Sequence, residues 1–283
     1  MKTMIRNQIV QVATQLGMDA DARRALARIE ELAEDGEIGV VGRFMPDDGV
    51  SAHLAALGVA EQVDEADFFR YSRIVIPYSG ISPKRQKQWA KDNVPLLDLT
   101  SPQVRRAQVS LGFLKLETST LFVIGRHSDP ESKVIRESQP NARVLEDTTD
   151  IARLYFAPRS AAVCQTTLAP RRISWLSEQL RHRWRDADFT FLNTVSPSMK
   201  AREQALERQL QRADHVVIVG RQGEASSDAL ADSALRQSRP ATIVSSPYEL
   251  PDPSDCRRIV LTAGAFALDD TVRAVARAMA GKA

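Results

Sequence analysis

Residues 73–104 read RIVIPYSGISPKRQKQWAKDNVPLLDLTSPQV, and this stretch decides the fold. RIVIPYS (Arg73–Ser79) is a short apolar run of strand length. SPKRQKQWAKDN (Ser82–Asn93) opens on Ser-Pro and continues as a polar helical pattern. PLLDLT (Pro95–Thr100) is apolar again and stops at a second Ser-Pro, Ser101-Pro102. Strand, helix and strand in roughly thirty residues is the pattern of a βαβ unit.

The same alternation fills the chain on both sides. Further apolar runs of strand length are IGVVGRF (Ile38–Phe44), TLFVIG (Thr120–Gly125), AAVCQTT (Ala161–Thr167), FTFLNTV (Phe189–Val195), HVVIVG (His215–Gly220), ATIVSS (Ala241–Ser246) and RIVLTAG (Arg258–Gly264). Helical patterns such as ADARRALARIEELAED, ISWLSEQLRHRW, SMKAREQALERQLQRA and LDDTVRAVARAMAG lie between or beside them. Most strand candidates are continuous and rich in β-branched residues, as strands covered on both faces of a parallel sheet require. The fold class is therefore α/β, with mainly parallel sheets. VQVATQL near the start reads as helix or strand.

LLDLTSPQV (Leu96–Val104) has a second version in FLNTVSPSM (Phe191–Met199), and each opens a new block of strands and helices. Repetition at that interval predicts two or three small α/β units rather than one wide sheet; a three-unit division falls at residues 1–98, 99–193 and 194–283. No Gly-, Ser- or Pro-rich linker separates the blocks. The Ser-Pro pairs admit two readings. Serine caps helices and proline suits the first helical position; equally, ligands gather where parallel strands end and helix N–H groups are free.

Composition limits the function. The chain has 283 residues, with 38 basic and 36 acidic groups and a net charge of +2. That balance gives no bias toward nucleic acid or an anionic membrane. Aromatic residues are 6%, too sparse for a base-stacking platform. No apolar stretch has the length of a bilayer span, and the start lacks the apolar core of a signal peptide, so a cytoplasmic location is expected. Two cysteines, Cys164 and Cys256, are too few for an all-thiolate metal site, and the four histidines share no ligand spacing. G-x-G-x-x-G and Walker loops are absent. The basic stretch RRISWLSEQLRHRWRDAD (Arg171–Asp188) reads as an amphipathic helix with Ile173, Leu176 and Leu180 on its buried face.

Several motifs, in order, resemble the LytB family, the hydroxymethylbutenyl diphosphate reductases of the non-mevalonate isoprenoid route. VIPYSGISP (Val75–Pro83) is similar to the family's strand ending in Ala-His-Gly-Val, and LLDLTSPQV to its Asp-Ala-Thr-Cys-Pro-Leu-Val. FVIGRHSDPES (Phe122–Ser132) resembles Ile-Gly-x-x-Gly-His-Pro-Glu-Val. CQTTL (Cys164–Leu168) keeps Gln-Thr-Thr-Leu intact. NTVSPSMKARE (Asn193–Glu203) resembles the segment around the last cluster cysteine, with Arg202 at the family's arginine. VVIVGRQGEASSDALAD and LTAGAFALDD resemble the Val-Gly-Gly…Ser-Ser-Asn and Thr-Ala-Gly-Ala-Ser segments. The resemblance runs from about residue 17 to the end. It implies three α/β units in a cloverleaf around a central cavity, each sending one cysteine to an iron–sulfur cluster.

At those three positions this sequence has Asp19, Ser101 and Ser196. Clusters are held by soft, readily ionised thiolates, and hydroxyl oxygens are harder and weaker acids. No cofactor is therefore expected, and no metal. The resemblance also puts Ser79, Asp129 and Pro46 where the family has histidines. Glu224, Ala225 and Ser226 stand at its diphosphate-gripping Ser-Ser-Asn, and Phe266 stands at a serine. Loss of donors and gain of carboxylates disfavour a diphosphate ligand. Glu131 matches the family's proton-delivering glutamate, and Thr166 and Thr167 are kept.

Three functions stay open. The first is a repurposed LytB-like protein that binds a small metabolite in the cavity, or performs non-redox chemistry on it. Asp129 and Glu131 would be its acid/base carboxylates. Asp19, Ser79, Ser101, Thr166, Thr167, Ser196, Lys200 and Ser226 would be its ligand-binding groups. The second is a non-catalytic scaffold or sensor with a protein partner, in which Asp129 and Glu131 merely cap a helix. The third is the family's reductase itself.

Overall fold

The structure is a computed structural model and describes residues 2–5, 8–115, 120–185, 188–251 and 256–281. Strands β1 (Lys2–Ile5) and β2 (Gln8–Val12) precede helix α1 (Ala20–Ala33). Next come β3 (Ile38–Val40), α2 (Asp48–Ala56), β4 (Arg73–Ile76), α3 (Pro83–Lys91) and β5 (Leu96–Asp98). They are followed by α4 (Pro102–Leu114), β6 (Thr120–Ile124), α5 (Pro130–Glu137), β7 (Arg143–Leu145), α6 (Thr148–Ala152), β8 (Arg159–Cys164), α7 (Pro170–Arg183) and β9 (Asp188–Phe191). The chain ends with α8 (Pro197–Leu210), β10 (His215–Val219), α9 (Ala225–Arg236), β11 (Ala241–Val244), β12 (Arg258–Ala263) and α10 (Asp269–Gly281).

The strands form three sheets, each flanked by helices, which is the α/β architecture expected. Sheet A has the order β1-β2-β12-β10-β11, sheet B β3-β4-β5, and sheet C β7-β6-β8-β9. Every pairing is parallel except β1 with β2 at the edge of sheet A. Burial mostly follows position in the sheet, although edge strand β3 is buried throughout. Central β8, β10 and β12 are buried along nearly their whole length, whereas edge strands β5 and β9 are half-covered. This is why the central strands are unbroken apolar runs and the edges admit Asp98 and Thr190.

Two compact units result: Met1–Ala27, Met45–Leu57 and Pro197–Ala283 in the first, Arg28–Phe44 and Gly58–Ser196 in the second. Sheet A lies in the first and draws strands from both ends of the chain, with Arg258 in register with Ile9. Its core includes Val217, Val219, Leu261, Ala263 and Val275. Sheets B and C lie in the second. Val104, Leu111, Val123, Ile135 and Val163 pack one face of sheet C, and Ile74, Ile76 and Trp89 anchor sheet B. Ile173, Leu176 and Leu180 of α7 are buried as the amphipathic pattern requires; positions 186–187 of that segment lie outside the described residues. Among the described residues no helix is long and apolar enough to cross a membrane.

Candidate functional site

Most polar residues singled out by sequence lie at the carboxyl ends of sheets C and A, one in each unit, while Ser79 and Ser101 follow strands of sheet B. At the end of sheet C, β6 runs into Gly125 and a short loop, and Asp129 caps α5 by accepting the Glu131 N–H on Oδ1 at 2.8 Å. Pro130 takes the first helical position. Glu131, only 6% exposed, has both carboxylate oxygens engaged by the residues that follow β8. Oε1 accepts the Thr166 N–H, and Oε2 accepts the Thr167 hydroxyl at 3.3 Å. Burial, and next the neighbouring Asp129 charge, push the Glu131 carboxyl up to about 8. Asp129 is raised as well, chiefly by burial, against the pull of the Glu131 N–H, Gln165 and the Arg126 charge.

Gln165 organises this group. Its Oε1 accepts from the Arg126 N–H at 3.1 Å and the Ser132 hydroxyl at 3.0 Å, so its Nε2 is the end that donates to Thr167 Oγ1 at 2.9 Å. Thr167 thus receives one bond and turns its own hydrogen toward Glu131. The Ser196 N–H donates to the Thr166 carbonyl at 2.9 Å. Cys164, the last residue of β8, is buried, and burial pushes its thiol up to about 11, which makes it inert. Cys256 packs against the core of sheet A. Ser101 caps α4, accepting the Gln103 N–H at 3.3 Å, and its own N–H donates to the Tyr78 carbonyl at 2.9 Å. The capping reading of Ser101-Pro102 therefore holds.

The second group lies at the end of sheet A. The Asp19 N–H donates to the Ala265 carbonyl at 2.9 Å, and the Asp19 carboxylate takes the Ser198 hydroxyl and an ion pair from Arg202. Arg202 is 2% exposed; its Nη1 and Nη2 also donate to the Ala263 and Gly17 carbonyls at 2.9 and 2.6 Å. Ser226 accepts the Ala265 N–H at 2.8 Å and is itself engaged by Glu224. Lys200 sits half-buried in the first turn of α8, and Ser79 in the turn after β4; among the described residues neither bonds into these groups. His127 is exposed, with Nε2 2.7 Å from Asp150 Oδ2. Among the described residues no cluster of His, Cys, Asp and Glu could hold a metal ion.

The sequence reading did not single out Gln165 as a site residue or give Arg202 a role beyond a motif match. A signal for the loops was present: Gly-Arg followed by an acid recurs in GRFMPD (42–47), GRHSD (125–129) and GRQGE (220–224), and each acid caps a helix.

Parallel sheets ending on buried acids, hydroxyls and free helix starts define an α/β protein with its polar groups gathered at strand ends. A family model described as LytB protein matches residues 10–280, and the chain belongs to that family. Among its relatives, the 4-hydroxy-3-methylbut-2-enyl diphosphate reductase of Treponema denticola is 23% identical over 278 residues, covering 92% of this chain and 95% of the relative. The protein of the same name from Rhodopirellula baltica is 28% identical over 199 residues; this match covers 69% of the chain and spans only 62% of the relative's length. In fold, the E-1-hydroxy-2-methyl-but-2-enyl-4-diphosphate reductase from Plasmodium falciparum superposes with a TM-score of 0.88 at 20% identity, covering 96% of this chain and 87% of that one.

Proposed function

We propose that this LytB-family chain works without an iron–sulfur cluster, as a protein that binds a small metabolite at its strand ends and acts on it, where it acts, by proton transfer through Glu131. One observation carries the reading: at a position the family resemblance assigns to a cluster cysteine stands Asp19, whose carboxylate is bonded to buried Arg202 and to Ser198. The other two positions hold Ser101, whose oxygen caps α4, and Ser196. An aspartate and two serines do not fit a cluster, because iron–sulfur centres need ionised sulfur donors. The chain's own cysteines stand elsewhere, one of them a buried thiol held protonated.

Glu131 supports the proton-transfer half. A carboxyl titrating near 8 exchanges protons at neutral pH, and Thr166 and Thr167 fix both of its oxygens. Asp129 acts through Glu131, holding its N–H and raising its proton affinity. The second reading, the reductase activity for which the relatives are named, is favoured by the nearly full-length match to the Treponema denticola protein.

One experiment separates them. The chain is produced in a host supplied with iron and cysteine, purified without oxygen, and analysed for iron, acid-labile sulfide and bound metabolite by native mass spectrometry. The expected product is colourless, with iron far below stoichiometric and a small molecule retained. A brown protein with stoichiometric iron and sulfide overturns the proposal.

A further inference from the structure

At the end of sheet A one carboxylate sits where the chain's own donors converge. Gly220 follows β10, Gly264 follows β12, and α9 begins at Ala225 with Glu224 as its cap. Glutamate is not among the residues favoured at a helix cap, where a shorter Asp, Asn, Ser or Thr reaches the free N–H groups. Here the longer side chain turns inward. Its Oε1 accepts the Ser226 N–H at 2.8 Å. Its Oε2 accepts the Ser226 hydroxyl at 2.6 Å, the Ser227 N–H at 2.8 Å and the Ser227 hydroxyl at 2.9 Å.

Glu224 is 5% exposed, and Ser226 and Ser227 are fully buried. Because Ser226 Oγ already accepts the Ala265 N–H, its hydrogen is available to the carboxylate. A Cβ on Gly264 would come within 3.2 Å of Glu224 Oε2 and collide with Ser227 Oγ, and one on Gly220 would collide with the same hydroxyl. The backbone therefore closes tightly around the carboxylate. Two N–H groups and two hydroxyls converging on one anion at a helix start are also what a phosphoryl group would take.

We infer that Glu224 is a specificity-determining residue: its carboxyl group occupies the Ser226 and Ser227 N–H and hydroxyl groups, so the ligand of this protein places no phosphoryl group at the end of sheet A. The inference deepens the reading of a small metabolite at the strand ends and narrows its class to compounds without a phosphate bound here. Burial pushes the Glu224 carboxyl up, and the bonds from Ser226 and Ser227 oppose that push.

The test uses the full chain, E224S, and inorganic pyrophosphate as the probe, with sodium chloride at matched ionic strength as the control. Serine restores a short cap and frees the Ser226 and Ser227 donors. Wild type is expected to show no saturable shift in melting temperature. E224S should show one, with affinity for pyrophosphate higher by roughly ten-fold or more, the worth of one charge-assisted bond. If E224S is unfolded alone, pyrophosphate should restore its far-ultraviolet circular dichroism. Saturable binding by wild type as tight as by the variant overturns the inference. So does a folded E224S that gains nothing, or an unfolded one that pyrophosphate does not rescue. A chain that contains iron and sulfide but behaves as expected here would overturn the cluster-free reading and leave the role of Glu224 standing.

Discussion

The ends of sheet C and sheet A are two versions of one frame. Gly125 and Gly220 follow the central strands and donate to Leu145 and Val244 at 3.0 and 2.9 Å. Asp129 and Glu224 cap the next helix, with their N–H groups bonded to Arg126 and Arg221 at 3.2 and 3.1 Å. Gln165 and Gly264 follow the neighbouring strand and donate to Ile124 and Val219, both at 2.8 Å. Ser132 and Ser227 each fill the space a Cβ would need on the first glycine. Three side chains then differ: Asp129 against Glu224, Glu131 against Ser226, Gln165 against Gly264. In sheet A the longer cap takes the N–H and hydroxyl groups of Ser226 and Ser227, and burial raises its carboxyl. In sheet C the shorter cap takes the Glu131 N–H and bonds from Gln165 and the Ser132 backbone, and the acid two residues on is buried beside a like charge. One frame thus yields a carboxyl held by four bonds at one end and a carboxyl raised by burial and a like charge at the other.

The strongest way to break this comparison is to make the same substitution at both ends. E224Q replaces an acceptor oxygen with a donor amide facing N–H and hydroxyl donors, and should destabilise the protein by about 3 kcal/mol. E131Q should show its effect chiefly as a change with pH. The folded Glu131 carboxyl is raised from an ordinary 4.5 to about 8, so the folded state holds a proton the unfolded chain releases. Its contribution to stability is therefore intact below 4.5 and declines up to about 8, at no more than about 1.4 kcal/mol per pH unit. E131Q should flatten that decline and gain on wild type toward alkaline pH. Urea unfolding across the pH range measures both. Two variants that lose stability equally at every pH would show that the two carboxyls are equivalent.

A smaller effect sharpens the contrast at Gln165, which faces Gly264 in the comparison. Q165L removes the amide that receives from Arg126 and Ser132 and donates to Thr167. The loss should be about 1–3 kcal/mol, from donors left buried without an acceptor. Thr167 would then be free to rotate away from Glu131, so the Glu131 midpoint should move as well. Nuclear magnetic resonance of labelled glutamate reads that shift. A stability loss with the midpoint unmoved would reduce Gln165 to a packing residue.

Much of this frame was legible before any coordinates. Nine strands announced themselves as apolar runs, most clearly the central ones, which are covered on both faces. β7 did not, since Arg143–Leu145 opens on an exposed arginine and holds only two apolar residues. The helix-or-strand ambiguity of VQVATQL resolves in part as β2, and its pairing with β12, some 250 residues away in sequence, is a long-range contact that no local pattern encodes. Asp129 and Glu131 were legible as a pair. Their division of labour was not, because capping by one and burial of the other depend on which hydrogens point where. The Glu224 side chain looked like an acid facing a ligand site; its four bonds show that it faces its own helix.

The smallest expected effect isolates the like-charge contact. D129N keeps a side-chain oxygen for the Glu131 N–H, and asparagine is as good a cap as aspartate, so stability near neutral pH should change by less than about 1 kcal/mol. What changes is the field at Glu131. With the neighbouring negative charge removed, ionising Glu131 becomes easier, and its midpoint should fall from about 8 toward the ordinary range without reaching it, because burial is the larger cause. The same variant removes a second raised carboxyl, so the stability of D129N should also fall less steeply with pH than that of wild type. At the end of sheet A no such coupling exists to remove: Ser226 stands where Glu131 does, and a hydroxyl carries no charge. If the midpoint of Glu131 stays near 8 in D129N, burial alone sets it, and the two ends differ only in how deeply a carboxyl is placed.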